Sequence, residues 1–133
     1  MSESAARAVV GQNILVVEDD PQVCELLADM LRADGFKVVC VQRDEAAYSA
    51  LERLPAFACM IVDVNLGPGT TGYDVARFAR RVAPALPVIF VSGQSSPDSF
   101  AVNSVPGSLF LEKPFTTHDL LDRVRMLVGD NDD

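Results

Sequence analysis

The stretch Ile14-Leu15-Val16-Val17-Glu18-Asp19-Asp20-Pro21 decides the fold. Four apolar residues run without polar alternation into three acids and a proline. A continuous apolar run of strand length suits a strand covered on both faces, as in a parallel sheet between helices. Asp20-Pro21 reads as a helix start. The aspartate can cap free N–H groups, and proline's fixed φ suits the first helical position, where no N–H is needed. The unit is strand, acidic turn, helix.

Strand and helix then alternate along the chain. Val23, Leu26, Leu27, Met30 and Leu31 follow at helical spacing, and Gly35 can end the helix in a left-handed conformation. Further apolar runs at 38–41, 60–62 and 88–91 predict three more buried strands, with a weaker fifth at 108–111. Between them, helical patterns cover Asp44–Arg53 and Gly72–Val82, the latter with Val75, Phe78, Ala79 and Val82 on one face. Pro55 and Pro84 lie just beyond their ends. A last helix starts near Thr116, whose hydroxyl can cap it, and continues through Leu120, Leu121, Val124 and Leu127. Between Gly93 and Gly107, Ser96 and Pro97 start a helix that Pro106 and Gly107 must stop, so a short or irregular helix is expected. Five strands alternating with helices mean an α/β fold with right-handed crossovers.

Composition narrows the function. The chain has 133 residues, 49% hydrophobic and 23% charged, enough for one well-buried core. Residues 1–12 are expected to form a loose tail, 13–128 the domain, and 129–133 an acidic tail. No apolar run reaches membrane-spanning length and the first residues lack a secretion-signal pattern, which predicts a cytoplasmic protein. A net charge of −8 argues against direct binding to nucleic acid, whose phosphates repel acidic surfaces. Cys24, Cys40 and Cys59 sit within apolar runs at no ligand-like interval and read as buried thiols in a reducing compartment.

In an open α/β sheet, ligands bind at the carboxyl ends of the strands. Here those ends carry Glu18-Asp19-Asp20 after the first strand, Asp63 after the third, Ser92 after the fourth and Lys113-Pro114 after the fifth. Carboxylates converging on one crevice repel each other unless protons or a cation relieve them. Mg²⁺ fits, because it binds through one or two carboxylates together with waters and a phosphoryl oxygen. Lys113 and the Ser92 hydroxyl can then contact phosphoryl oxygens, and Asp63, between metal and lysine, is a plausible nucleophile toward phosphorus.

In this order of residues the chain resembles the receiver domains of two-component response regulators, the CheY-like superfamily, over about 13–128. The matching pattern is the acidic pair Glu18 and Asp19, the acceptor Asp63, the hydroxyl of Ser92 and the pair Lys113-Pro114. The resemblance implies a flavodoxin-like five-stranded parallel sheet of order 2-1-3-4-5 with helices on both faces. It also implies that the Asn65 backbone carbonyl completes the metal ligands of Glu18, Asp19 and Asp63. Phe110 would act with Ser92 as the switch, and Asn65 and Gln94 would set the lifetime of the phosphoryl group. The partners it implies are a histidine kinase or histidine phosphotransfer protein and a downstream protein target.

Two stretches depart from the family pattern. The loop VNLGPGTTGYD after Asp63 is one residue longer than the usual turn, with Thr71-Gly72 where Asp-Gly is usual. The interrupted stretch 95–107 replaces a full fourth helix, which puts the usual output face and dimerisation through it in question. The expected protein is a single-domain response regulator, monomeric or weakly dimeric, without membrane insertion or catalytic turnover beyond its own phosphorylation and dephosphorylation. Alternatives are a receiver module of a hybrid kinase or an interaction module largely independent of phosphorylation. An aspartate-nucleophile phosphatase is disfavoured, because Asn65 stands where such enzymes carry a second aspartate. His118, the sole histidine, reads as a solvent-facing residue near a helix start rather than as a phosphodonor.

Overall fold

A computed structural model describes residues 12–53, 56–67, 69–93 and 97–129, without the side chains of Pro97 and Asp98. The expected tails, 1–12 and 129–133, lie outside these apart from Gln12 and Gly129. Strands β1 (Asn13–Val17), β2 (Lys37–Val41), β3 (Cys59–Asp63), β4 (Val88–Ser92) and β5 (Leu109–Glu112) alternate with helices α1 (Pro21–Ala33), α2 (Asp44–Arg53), α3 (Gly72–Val82), α4 (Pro97–Asn103) and α5 (Thr117–Val128). All strand pairs are parallel and the sheet order is β2-β1-β3-β4-β5. The chain reverses direction across the sheet between β1 and β3, which opens a crevice at their carboxyl ends.

Alternate residues of the central strands feed two cores. Ile14, Val16, Ile61 and Ile89 pack against Leu27 and Leu31 of α1 and Leu120 and Val124 of α5. Leu15, Val17, Met60, Val62 and Phe90 face Ala47 of α2 and Val75 and Ala79 of α3. Period-two alternation between two apolar layers is why these strands read as unbroken apolar runs. Two residues of the helical apolar patterns are on the surface: Leu26 is 55% exposed on α1 and Val82 is 44% exposed at the end of α3. An apolar residue at helical spacing is buried only where the neighbouring layer reaches it, and neither is covered among the described residues.

The helix boundaries follow local chemistry. The Asp20 carboxylate accepts from the N–H groups of Gln22 and Val23 at 2.9 and 3.4 Å, and Gly35 leaves α1 at φ 103°, a conformation that glycine takes without steric cost. Thr71 with Asp74 and Thr116 with Asp119 form reciprocal capping boxes at α3 and α5. Of these two threonines, the sequence reading names only Thr116 as a cap. Helix α4 has 7 residues, as the flanking prolines predict. Phe100 on it lies between Phe90 and Phe110, with ring centroids 6.0 and 5.4 Å away, and Arg77 of α3 donates to the Asn103 carbonyl and side-chain oxygen at 3.2 Å.

The reading of three unpaired thiols needs correction. Cys24 on α1 and Cys40 on β2 are joined as a disulfide, with Cα atoms 6.1 Å apart; Cys59 remains a buried free thiol. Packing of α1 across β2 brings the two together, which a separation of 16 residues does not disclose. Cys40 is also half-buried rather than buried. Among the described residues no helix is long and apolar enough to cross a membrane.

Candidate functional site

The ends of β3, β4 and β5 each deliver one polar group to the crevice, Asp63, Ser92 and Lys113, and the end of β1 delivers two, Glu18 and Asp19. Glu18, Asp63 and Ser92 are the buried polar residues of the described chain, at 2%, 6% and 1% exposure, while Asp19 at the rim is exposed. One carboxylate oxygen from each of Glu18, Asp19 and Asp63 lies within 4.8 Å of the others. Lys113 closes the group: its Nζ donates to Glu18 Oε1 and to Asp63 Oδ2, each at 3.2 Å.

Backbone contacts hold these side chains in place. The Glu18 N–H donates to the Val41 carbonyl at 3.0 Å, and Glu18 Oε2 accepts from the Asp20 N–H at 3.2 Å. Asp63 Oδ1 accepts from the Asn65 N–H at 3.0 Å, so one acceptor oxygen faces Lys113 and the other faces the loop. Lys113 N–H donates to the Ser92 carbonyl at 3.0 Å, which ties β5 to β4 beside the crevice.

The described residues of the loop after Asp63 are anchored at both ends of it. Val64 and Leu66 are buried, an isolated antiparallel bridge joins Asn65 to Thr71, and Gly67 and Gly69 take positive φ. The longer turn thus returns to the site, leaving Asn65 exposed beside Asp63.

The electrostatics are those of a cation-deficient cluster. Burial pushes the Glu18 carboxyl up to about 7; a hydrogen bond with Asp19 and the charge of Asp63 act the same way, against the Asp20 N–H and Lys113. Burial by itself would lower the pKa of Lys113, but the charges and hydrogen bonds of Asp63 and Glu18 outweigh it and hold the ammonium above its ordinary value. Three carboxylates against one ammonium leave room, in charge and in oxygen ligands, for a hard divalent cation.

Phe110 is half-buried against Phe100, and Gln94 lies outside the described residues. His118 is 80% exposed and pairs with Asp122 on α5, away from the crevice. One site residue escaped the sequence reading. A Cβ on Gly72 would lie 2.9 Å from the Asp63 carbonyl carbon and 3.0 Å from Val64 Cα, so the start of α3 rests directly on the backbone of Asp63. The signal was there in Thr71-Gly72-Tyr73-Asp74, a capping box that brings a helix end to this point.

Comparison with known proteins agrees with this geometry. The response regulator receiver domain family matches residues 14–125. The response regulator protein FleR of Pseudomonas aeruginosa is 37% identical over 112 residues, 84% of this chain and 23% of that protein. The uncharacterized transcriptional regulatory protein YbdJ of Bacillus subtilis is 30% identical over 118 residues, 89% of this chain and 51% of that protein. The chain therefore spans about half, or less, of the length of these curated relatives. Among solved structures, a response regulator receiver protein from Sinorhizobium medicae superimposes with a TM-score of 0.84 at 30% identity, covering 91% of this chain and 97% of that one. The receiver domain of a sensor histidine kinase from Pseudomonas aeruginosa, with a magnesium ion coordinated in its active-site cleft, gives 0.77 at 26% identity, covering 91% and 100%. The sequence match runs across nearly the whole sheet and through every strand end that builds the crevice, and the chain belongs to the response regulator receiver domain family.

Proposed function

We propose that the protein accepts a phosphoryl group on Asp63, with Mg²⁺ held by Glu18, Asp19, Asp63 and the Asn65 backbone carbonyl. The observation that carries this reading is the single ammonium of Lys113 between two buried carboxylates, with a third carboxylate at the rim. The magnesium ion in the related receiver from Pseudomonas aeruginosa supports the choice of metal. When bound, Mg²⁺ neutralises the acids and draws charge from phosphoryl oxygens.

The rest of the chemistry belongs to the chain. Asp63 Oδ2 attacks phosphorus, the bond to the donor's leaving group breaks, and an acyl phosphate forms on the aspartate. Lys113 shifts its donation to a phosphoryl oxygen as a point charge. The Ser92 hydroxyl approaches another phosphoryl oxygen and, with Phe110, relays the change to α4. Asn65, exposed beside Asp63, flanks the group, and together with Gln94 it governs attack by water. The reaction is stoichiometric on the protein itself, without turnover of other substrates, in the cytoplasm.

The donor is a histidine kinase or phosphotransfer protein. An apolar groove of about 450 Å³ between α1 and the β5–α5 turn is lined by Val23, Leu26, Met30, Pro114 and Phe115 and shares Lys113 with the site. A phosphohistidine-bearing helix laid there would present its phosphoryl group to Asp63, which accounts for the exposure of Leu26. The output is a protein contact on the α4 side, where Val102 is 81% exposed.

Incubation with a small acyl-phosphate donor and Mg²⁺ should add the mass of one phosphoryl group, and chelation of the metal should prevent it. Labelling that is unaffected by chelation would overturn the reading.

Glu18 also sets a pH dependence. Its carboxyl titrates near 7 in the fold against 4.5 in the unfolded chain. The folded state therefore holds more protons between these values, and the contribution to stability, full below 4.5, is lost as pH rises through 7. Mg²⁺ competes with that proton. Its affinity should rise about tenfold from pH 6 to pH 8, as deprotonation of a single group near 7 dictates. Titration calorimetry at the two pH values checks this, and Glu18→Gln should flatten the dependence.

A further inference from the structure

We propose that the Cys24–Cys40 pair is a reversible redox tether that sets the mobility of the turn carrying Glu18 and Asp19. The inference needs neither the metal nor phosphorylation, so it stands apart from the reading of Asp63.

The two cysteines are placed for exchange between dithiol and disulfide. Their Cα atoms are 6.1 Å apart, within the span a disulfide bridges without moving the backbone. Cys24 is wholly buried on the inner face of α1, whereas Cys40 is only partly buried on β2, an edge strand of the sheet. Cys40 is thus the point of entry and Cys24 the resolving partner. Cys59, the one remaining cysteine, is a buried free thiol on β3.

Both states are also satisfied at the buried end. Cys24 Sγ lies 3.9 Å from the Val16 carbonyl and 3.7 Å from the Val41 carbonyl. A reduced Cys24 therefore finds acceptors for its S–H and leaves no stranded donor. The Val41 carbonyl is the same one that receives the Glu18 N–H at 3.0 Å. Oxidation withdraws the S–H from that oxygen and covalently fixes α1 to β2, one residue from the contact that holds Glu18. The bridge encloses β2's approach and most of α1, and the acidic turn lies between α1 and β1.

The step balances with a small-molecule disulfide as oxidant. The Cys40 thiolate attacks one of its sulfurs, forming a mixed disulfide and releasing one small thiol. Cys24 then attacks the Cys40 sulfur and releases the second. The two cysteines lose two electrons and two protons, and the small disulfide takes up both as two thiols. Excess small thiol reverses the exchange.

The test equilibrates the full chain with glutathione and its disulfide at a series of ratios, traps with acid, denatures and counts thiols by alkylation and intact mass. The count should pass from three to one across the series, the remaining thiol being Cys59, and Cys40→Ser should show no such two-thiol step. In parallel, amide hydrogen exchange over residues 18–24 should be about tenfold slower in the oxidised protein. Cys40→Ser, at a partly buried position, keeps this comparison available if Cys24→Ser does not fold, and its exchange should match the reduced protein. Three thiols at every ratio, one thiol at every ratio, or a persistent glutathione adduct would each overturn the proposal, as would equal exchange over 18–24 in the two states.

Discussion

Asp63→Asn is expected to slow phosphoryl incorporation by more than about a thousandfold, the scale of removing a nucleophile, without unfolding the protein. The amide oxygen can still accept from the Asn65 N–H, now at 3.0 Å from Asp63, but an uncharged carboxamide is a poor nucleophile toward phosphorus. The stability side has two opposing parts. The 3.2 Å contact with Lys113 is lost, while the repulsion that helps raise Glu18 is relieved. Removing one partner of a buried pair is ordinarily costly because it leaves a bare charge. Here Lys113 keeps Glu18 at 3.2 Å. In cation-free buffer the melting temperature should therefore stay close to that of the parent, and the stabilisation produced by Mg²⁺ should shrink. Intact mass after treatment with an acyl-phosphate donor, beside a thermal melt, separates the two effects. Undiminished labelling would place the acceptor elsewhere.

Gly72→Ala should be severely damaging for the addition of one methyl group. Its Cβ would fall 2.9 Å from the Asp63 carbonyl carbon and 3.0 Å from Val64 Cα, against backbone that cannot rotate away. Gly72 N–H also donates to the Val64 carbonyl at 2.8 Å, so α3 cannot retreat without giving up that bond. Overpacking of this kind costs about 1–3 kcal/mol, and the strain falls on the residue that carries the acceptor. A displacement of about 1 Å at a reacting centre can cost on the order of a hundredfold in rate. The variant should therefore show both a lower urea midpoint and slower phosphoryl incorporation. Gly67→Ala is the matched comparison: nothing lies within 4 Å of its Cβ, and its cost comes only from the positive φ. A normal labelling rate in Gly72→Ala would show that the backbone of Asp63 tolerates the shift.

The legibility of this chain differs between its elements for physical reasons. The central strands were readable because they are covered on both faces and so contain no polar interruption before their carboxyl ends; Cys59–Asp63 and Val88–Ser92 are buried throughout. The helix starts were readable because Asp20 and Thr116 act on N–H groups only two or three residues away. Periodicity placed Leu26 and Val82 on the apolar faces of their helices but could not say what lies against those faces, and both are exposed. The site was legible as an ordered set of strand-end residues, since a parallel sheet brings successive carboxyl ends to one edge.

Sequence by itself thus determined the alternation of elements, the acids at the strand ends and the shortness of α4, all of which depend on neighbours within a few residues. Only the tertiary structure decided that Lys113 meets Glu18 as closely as Asp63, across separations of 95 and 50 residues. It alone set Gly72 against the Asp63 backbone and joined Cys24 to Cys40. These contacts depend on how α1 and α3 sit on the sheet. That placement is fixed by the packing of whole layers, which no local run of residues encodes.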